Sequence, residues 1–187
     1  EHLPMMDCPQ HRIVSLLGNM MSDGSATPYN VVIRLAERVG AGHYPMPLPV
    51  FARDEAERDV LHSQEPVHNT LELCRRADVA FVGIGQMNAT APLVKDGFIP
   101  PEEIGALQAA GVAGEITSWS YDGQGRVLTD GINRRVASAP LDASPSHPRF
   151  GIACGTEKVG AIRAALTGSL VTHLITDEAT AEMVLAS

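Results

Sequence analysis

Phe150-Gly-Ile-Ala-Cys-Gly-Thr156-Glu-Lys158-Val-Gly-Ala-Ile-Arg-Ala-Ala-Leu166 decides how this chain is read. A short apolar run of the buried-strand kind stops at Gly155, Thr156 stands in the helix-capping place, and Val159, Ile162 and Leu166 then share one helical face. Lys158 falls in the first turn, where a cation opposes the positive end of the helix dipole. A bound anion would reverse that penalty: backbone N–H groups, a close-approach glycine and a lysine make a seat for a phosphate or carboxylate. A simply solvated Lys158 accounts for the same residues, because long cations are tolerated at helix starts.

Working outward, strands and helices alternate. Arg12–Leu17 is a strand, followed by Gly18-Asn19, a polar loop through Ser25, and Thr27-Pro28 as cap and first residue of a helix with Val31, Val32, Leu35, Ala36 and Val39 on its apolar face. A second strand spans His43–Met46, ended by Pro47 and Pro49. Helices follow over Asp54–Ser63 and Pro66–Ala77, with Cys74 in the core of the second. Asp78–Gly85 is apolar on both faces of its pleat, which predicts a central parallel strand covered on both sides. Gly111–Glu115 leads into Ile116–Tyr121, and Asp122–Gly125 turns into Arg126–Leu128, an antiparallel excursion. The strand Val171–Thr176 buries His173, and a last helix opens at Asp177-Glu178. The pattern is α/β, a mostly parallel sheet flanked by helices, read as one domain over residues 1–187.

With 187 residues, 44% hydrophobic and 19% charged, the chain can fill one core, and a net charge of −8 argues against a nucleic-acid surface. No apolar stretch of about 20 residues indicates a membrane span. Three cysteines at irregular spacing, Cys8, Cys74 and Cys154, suit a reducing compartment and hence the cytoplasm. The chain opens at Glu1 within an apparent loop, which reads as a fragment of a longer protein.

Ligands of open parallel sheets gather at the carboxyl ends of the strands. Four such ends here carry small or polar residues: Gly18-Asn19, Gly83-Ile84-Gly85-Gln86, Gly155-Thr156 and Thr176-Asp177. Glu115 follows Gly111 and Gly114, where a backbone can approach a ligand. A carboxylate accepting from hydroxyls and a lysine taking an anionic end suit a sugar or its phosphate. Other chemistries fit less well. Gly83-Ile-Gly85-Gln-Met-Asn88 lacks the third glycine of a dinucleotide fingerprint, Cys8-Pro-Gln-His11 lacks a second metal-binding pair, and no Gly-x-Ser-x-Gly elbow occurs.

Ile13-Val-Ser-Leu-Leu-Gly-Asn19, Pro28-Tyr-Asn-Val31 with Arg34-Leu-Ala-Glu37, Ala77–Gly85, Gly111-Val-Ala-Gly-Glu115, Ala153-Cys-Gly with Lys158 and Ala161–Leu166, and Leu174-Ile-Thr-Asp-Glu-Ala179 stand in the order found in SorC-family sugar-responsive transcription regulators, which the chain resembles over nearly its whole length. The resemblance implies a Rossmann-like sugar-binding domain, similar to sugar-phosphate isomerases and glucosamine-6-phosphate deaminase. It implies effector contacts at Glu115 and Lys158, an anion site at Gly155 and Thr156, walls from Gly83, Gly85 and Gln86 and from Gly18 and Asn19, and a lesser part for Asp177, which also suits a helix cap. The implied partners are a sugar or sugar-phosphate effector, further copies of the chain as a dimer or tetramer, and operator DNA through a helix-turn-helix absent from this sequence, with no cofactor, metal or membrane. Against the family pattern the first strand and a Gly-Arg-Thr type loop are missing, and Ala153-Cys-Gly replaces Ala-Gly-Gly. Gln86-Met87-Asn88 stands where similar deaminases show Asp-Gly-His, so a binding module is expected, with a sugar-phosphate isomerase or deaminase as the alternative reading.

Overall fold

In a computed structural model, residues 3–21, 23–27 and 31–186 are described. They form two compact units, Glu1–Arg76 with Arg135–Ala139 and Ala77–Arg134 with Pro140–Ser187. Each is treated by itself.

The first unit is a β-α-β arrangement followed by a helix pair. β1 (Arg12–Met20) pairs in parallel with β2 (Gly42–Pro49), joined by α1 (Val31–Val39). Pro28, the expected first residue of α1, lies outside the described residues. Two sequence expectations are corrected here. β1 continues through Gly18 and Asn19, so neither ends the strand. Its register against β2 shifts on both sides of Gly18, where a Cβ would sit 2.4 Å from the Pro49 carbonyl oxygen. Only glycine permits that approach. β2 likewise runs through Pro47 and stops only at Pro49. Pro45, Pro47 and Pro49 alternate along the strand, so their missing donors fall on one edge while β1 pairs along the other. The intervening Met46 and Leu48 are fully buried, worth roughly 1.5–3 kcal/mol each.

α2 (Glu55–His62) is capped by the Asp54 carboxylate, which accepts from the Glu57 amide. α3 (Glu65–Arg75) starts with Pro66 and places Val67 and Cys74 in the cluster formed by Met46, Leu48, Ala137 and Ala139. Burial pushes the Cys74 thiol up to about 12, as a core residue requires.

The second unit contains two three-stranded sheets. β3 (Ala80–Gly83), β7 (Arg149–Ile152) and β8 (His173–Ile175) form a parallel sheet in the order β3-β7-β8. α6 (Val159–Thr167) crosses from β7 to β8, and α7 (Glu178–Leu185) follows. β4 (Gly85–Gln86), β5 (Val112–Ile116) and β6 (Trp119–Asp122) form an antiparallel sheet. α4 (Pro92–Lys95) and α5 (Pro101–Ala109) lie between β4 and β5 in sequence, each with proline at its start.

The single strand expected over Asp78–Gly85 is thus divided at Ile84 and serves both sheets. β3 is also an edge strand with only one buried face: Ala80 and Val82 point inward, whereas Phe81 is 58% exposed. Phe81 stacks on Phe150 at 5.2 Å, and Phe150 on His173 at 4.4 Å, so His173 belongs to that open face and not to the core. On the inner side, Gly114 lets β5 lie against α6, since a Cβ there would meet the Ala161 methyl and the Tyr121 hydroxyl at 2.6 Å. Ile84, Ile116, Tyr121, Ile162 and Leu170 fill this core.

Candidate functional site

β3, β7 and β8 are parallel, so their carboxyl ends lie on one side of the second unit. Three of the expected site segments leave from there: Gly83-Ile84-Gly85, Gly155-Thr156 and Thr176-Asp177. Gly18 and Asn19 belong to the first unit.

Glu115 is a strand residue and not part of a glycine loop. It sits in β5 with Gly85 of β4 on one side and Ser120 of β6 on the other. Cross-strand partners share a face, and because Gly85 has no side chain, the Glu115 carboxyl folds over it. A Cβ on Gly85 would stand 2.0 Å from Glu115 Oε1. The second oxygen accepts from the Ser118 amide at 2.8 Å. Thr117 and Ser118, with φ of 49° and 73°, make the tight β5–β6 turn that aims this amide back at the carboxyl. Burial pushes the Glu115 carboxyl above its ordinary range, while the Ser118 amide and the Lys158 charge pull it down. Tyr121 is likewise raised, by burial first and by Glu115 second.

Lys158 reaches the same place from the opposite direction. A short 3₁₀ turn, Thr156–Lys158, precedes α6, and from its end the half-buried Lys158 ammonium donates to the Ile84 carbonyl at 3.0 Å. Carboxyl and ammonium therefore converge on the Ile84-Gly85 segment, close enough for the Lys158 charge to act on the carboxyl, where the chain leaves one sheet for the other. Thr156 opens the 3₁₀ turn and is exposed, without the capping bond expected of it. The cap position belongs to Gly155, at φ 112°. A Cβ at Gly155 would lie 2.9 Å from Glu157 Oε1, so a carboxylate already rests beside the turn that suits an anion. The Gly155 amide donates to the Thr180 hydroxyl at 2.9 Å, and Thr180 in turn gives its amide and hydroxyl to Asp177, both at 2.8 Å. Asp177 is the cap of α7, and these bonds hold its carboxyl below the usual range.

Gln86 is buried, and its Oε1 has no hydrogen-bond partner among the described residues. It pairs with Gly114 and so faces away from the Glu115 side chain. Three participants escape a sequence reading: the Ile84 carbonyl, the Ser118 amide and Ser120. A turn with Thr and Ser at positive φ carries no glycine or asparagine signal.

The family described as "Putative sugar-binding domain" matches residues 1–186. The erythritol catabolism regulatory protein EryD of Brucella abortus is 33% identical over 184 residues, covering 98% of this chain and 58% of that protein. The transcriptional regulator LsrR of an Enterobacter species is 31% identical over 196 residues, covering 97% of this chain and 58% of its own length. The chain therefore spans a little over half the length of these relatives. Among solved structures, a DeoR family transcriptional regulator from Listeria monocytogenes superposes with a TM-score of 0.88 at 22% identity, over 97% of this chain and 72% of that one. The full-length sorbitol operon regulator SorC of Klebsiella pneumoniae superposes at 0.83 with 25% identity, over 97% and 60%.

Proposed function

This chain belongs to the sugar-binding domain family of SorC- and DeoR-type transcription regulators, and from that premise we propose that it is the portion of such a regulator that senses a sugar or sugar phosphate. The observation that carries this reading is the convergence of Glu115 and Lys158 on the Ile84-Gly85 segment. A carboxyl at that point accepts from vicinal hydroxyls, and an ammonium one strand away takes the anionic end of the same small molecule. Gly83 leaves room for the ligand, with Thr156 at its rim, while Gly85 and Gly155 make room for the Glu115 and Glu157 carboxyls. Asp177 acts indirectly, by fixing Thr180 and through it the Gly155 amide.

Binding without turnover is the role proposed. Proton transfer between sugar carbons needs two positioned acid/base groups. Gln86-Met87-Asn88, which follow Gly85, supply neither a carboxylate nor an imidazole. In the full-length cytoplasmic regulator, effector contacts that differ between two arrangements of a homo-oligomer would alter how helix-turn-helix units outside these residues meet operator DNA. The name of the Brucella relative makes erythritol the first ligand to try, and the Lys158 ammonium adds erythritol 4-phosphate beside it.

Calorimetry with those two compounds, ribose 5-phosphate and glucosamine 6-phosphate tests the proposal on the full-length protein and on its Lys158→Met variant. Saturable binding of a phosphorylated sugar that weakens in the variant is expected. Steady isomerisation or deamination of any of them would replace the sensor reading with an enzymatic one.

A further inference from the structure

Asn133 is 2% exposed and lies in the 3₁₀ turn Gly131–Arg135, far in sequence from every residue of the effector site. Its side chain makes three hydrogen bonds: Oδ1 accepts from the Ser120 amide at 2.9 Å, and Nδ2 donates to the Ser120 and Leu128 carbonyls, each at 2.8 Å. One amide donor and two carbonyl acceptors fix the orientation of the Asn133 amide, because the reverse placement would set like groups against each other. The side chain thereby satisfies the Ser120 N–H, shares the Ser120 carbonyl with the Leu128 amide at 3.0 Å, and ties both to the outer edge of the β4-β5-β6 sheet, where Tyr121 bridges Val127.

Ser120 is the register partner of Glu115. Its N–H and C=O point outward to Asn133, so Glu115 and Ser120 form a pair without mutual backbone bonds, the kind in which strands and side chains approach most closely. The Ser120 hydroxyl, fully buried and without a hydrogen-bond partner among the described residues, faces the same side of the sheet as Glu115. What holds β6 at this level is therefore Asn133 together with the Leu128 segment that Asn133 itself binds, and what β6 holds on its inner side is the strand that carries Glu115.

We propose that Asn133 is the positioning residue of the effector site, fixing β6 at Ser120 and thereby the place of the Glu115 carboxyl over Gly85. The proposal rests on the reading of Glu115 as an effector contact. Asn133 itself touches no ligand.

The test follows the Glu115 carboxyl directly, by carbon-13 NMR of glutamate-labelled full-length protein, with Glu115→Gln identifying the signal. Lys158 and Tyr121 are the other ionisable groups acting on this carboxyl. In Asn133→Ala the midpoint of its titration should fall toward that of an ordinary glutamate, since burial is the largest cause of its elevation. Affinity for erythritol 4-phosphate, or whichever panel sugar phosphate binds the parent, should fall about tenfold. Ile99→Ala empties a fully buried site elsewhere in the second unit, and should destabilise without moving that midpoint. Asn133→Ser is measured beside Asn133→Ala, so that a folded variant is in hand if one fails. A folded Asn133 variant with an unchanged Glu115 midpoint overturns the proposal, as does an equal displacement in Ile99→Ala. A displaced midpoint with undiminished binding supports the positioning role and removes Glu115 from the effector contacts instead.

Discussion

Gly85→Ala is the sharpest perturbation of the candidate site, because one methyl group is aimed at one carboxylate. The new Cβ would lie 2.0 Å from Glu115 Oε1, and real Cβ contacts do not fall under 3.0 Å, so the oxygen must retreat by about 1 Å. The obstacle is the far end of a flexible side chain, and the fold should survive. The 2.8 Å bond from the Ser118 amide to the other carboxyl oxygen then stretches beyond hydrogen-bond range. Losing it costs about 1–3 kcal/mol, according to whether the carboxyl is neutral or ionised. Alanine in a strand returns roughly 0.5–1 kcal/mol relative to glycine. The net loss is about 0–2.5 kcal/mol, a fall in melting temperature of up to several degrees. If Glu115 contacts the effector, sugar-phosphate affinity falls more steeply, about ten- to a hundredfold, because the acceptor has moved while Lys158 has not. Gly83→Ala is the control: its Cβ would meet nothing within 4 Å, so stability should be unchanged or slightly higher. Thermal melts and calorimetry on both variants decide the matter. Parent-like stability and affinity in Gly85→Ala would refute the placement of the carboxyl over Gly85, and an equal loss of stability in Gly83→Ala would reduce the effect to a general need for glycine.

Lys158→Met should weaken binding of a phosphorylated effector about ten- to a hundredfold and lower stability little, since a single part-buried bond to the Ile84 carbonyl is lost; equal calorimetric affinity for the phosphorylated and dephosphorylated sugar in the parent protein would take Lys158 out of the site. Glu115→Gln bears on pH. Because burial raises the Glu115 carboxyl in the folded state, folding retains a proton that the unfolded chain releases, and stability should decline as pH rises from the ordinary carboxylate value through the raised one. The glutamine variant should flatten that slope in urea titrations across pH; a slope identical to the parent's would mean that the carboxyl is not held in a buried, charge-disfavouring place. Thiol labelling should modify exposed Cys154 promptly and leave Cys74, buried and pushed up to about 12, unmodified until denaturant is added; prompt double labelling followed by mass spectrometry at Cys74 would contradict the packing of α3.

Local sequence by itself determined several of the helices and singled out the candidate chemistry, but α4 and α5 were not read from it. Asp177 caps the helix it was expected to cap, and Asp54, read as the first residue of its helix, caps that helix instead, because a short carboxylate reaches the first free amides whatever lies around it. Cys74 is in the core because helical spacing places it beside Val67 and Leu71. Glu115 and Lys158 stood out as residue types suited to a sugar and its anion. Tertiary structure alone decided how those residues are held. Asp78–Gly85 reads as one apolar strand, yet the chain changes sheets at Ile84, and an apolar run says nothing about which neighbours its backbone will find. The alternating prolines of β2 stop a strand only if both edges must pair, and here one edge does the pairing. Gly18 faces a backbone carbonyl in β2, a constraint set about 30 residues away in sequence. The Glu115 carboxyl owes its place to Gly85, Ser118 and Ser120, and Ser120 to Asn133, through hydrogen bonds and register partners that exist only after the strands have paired.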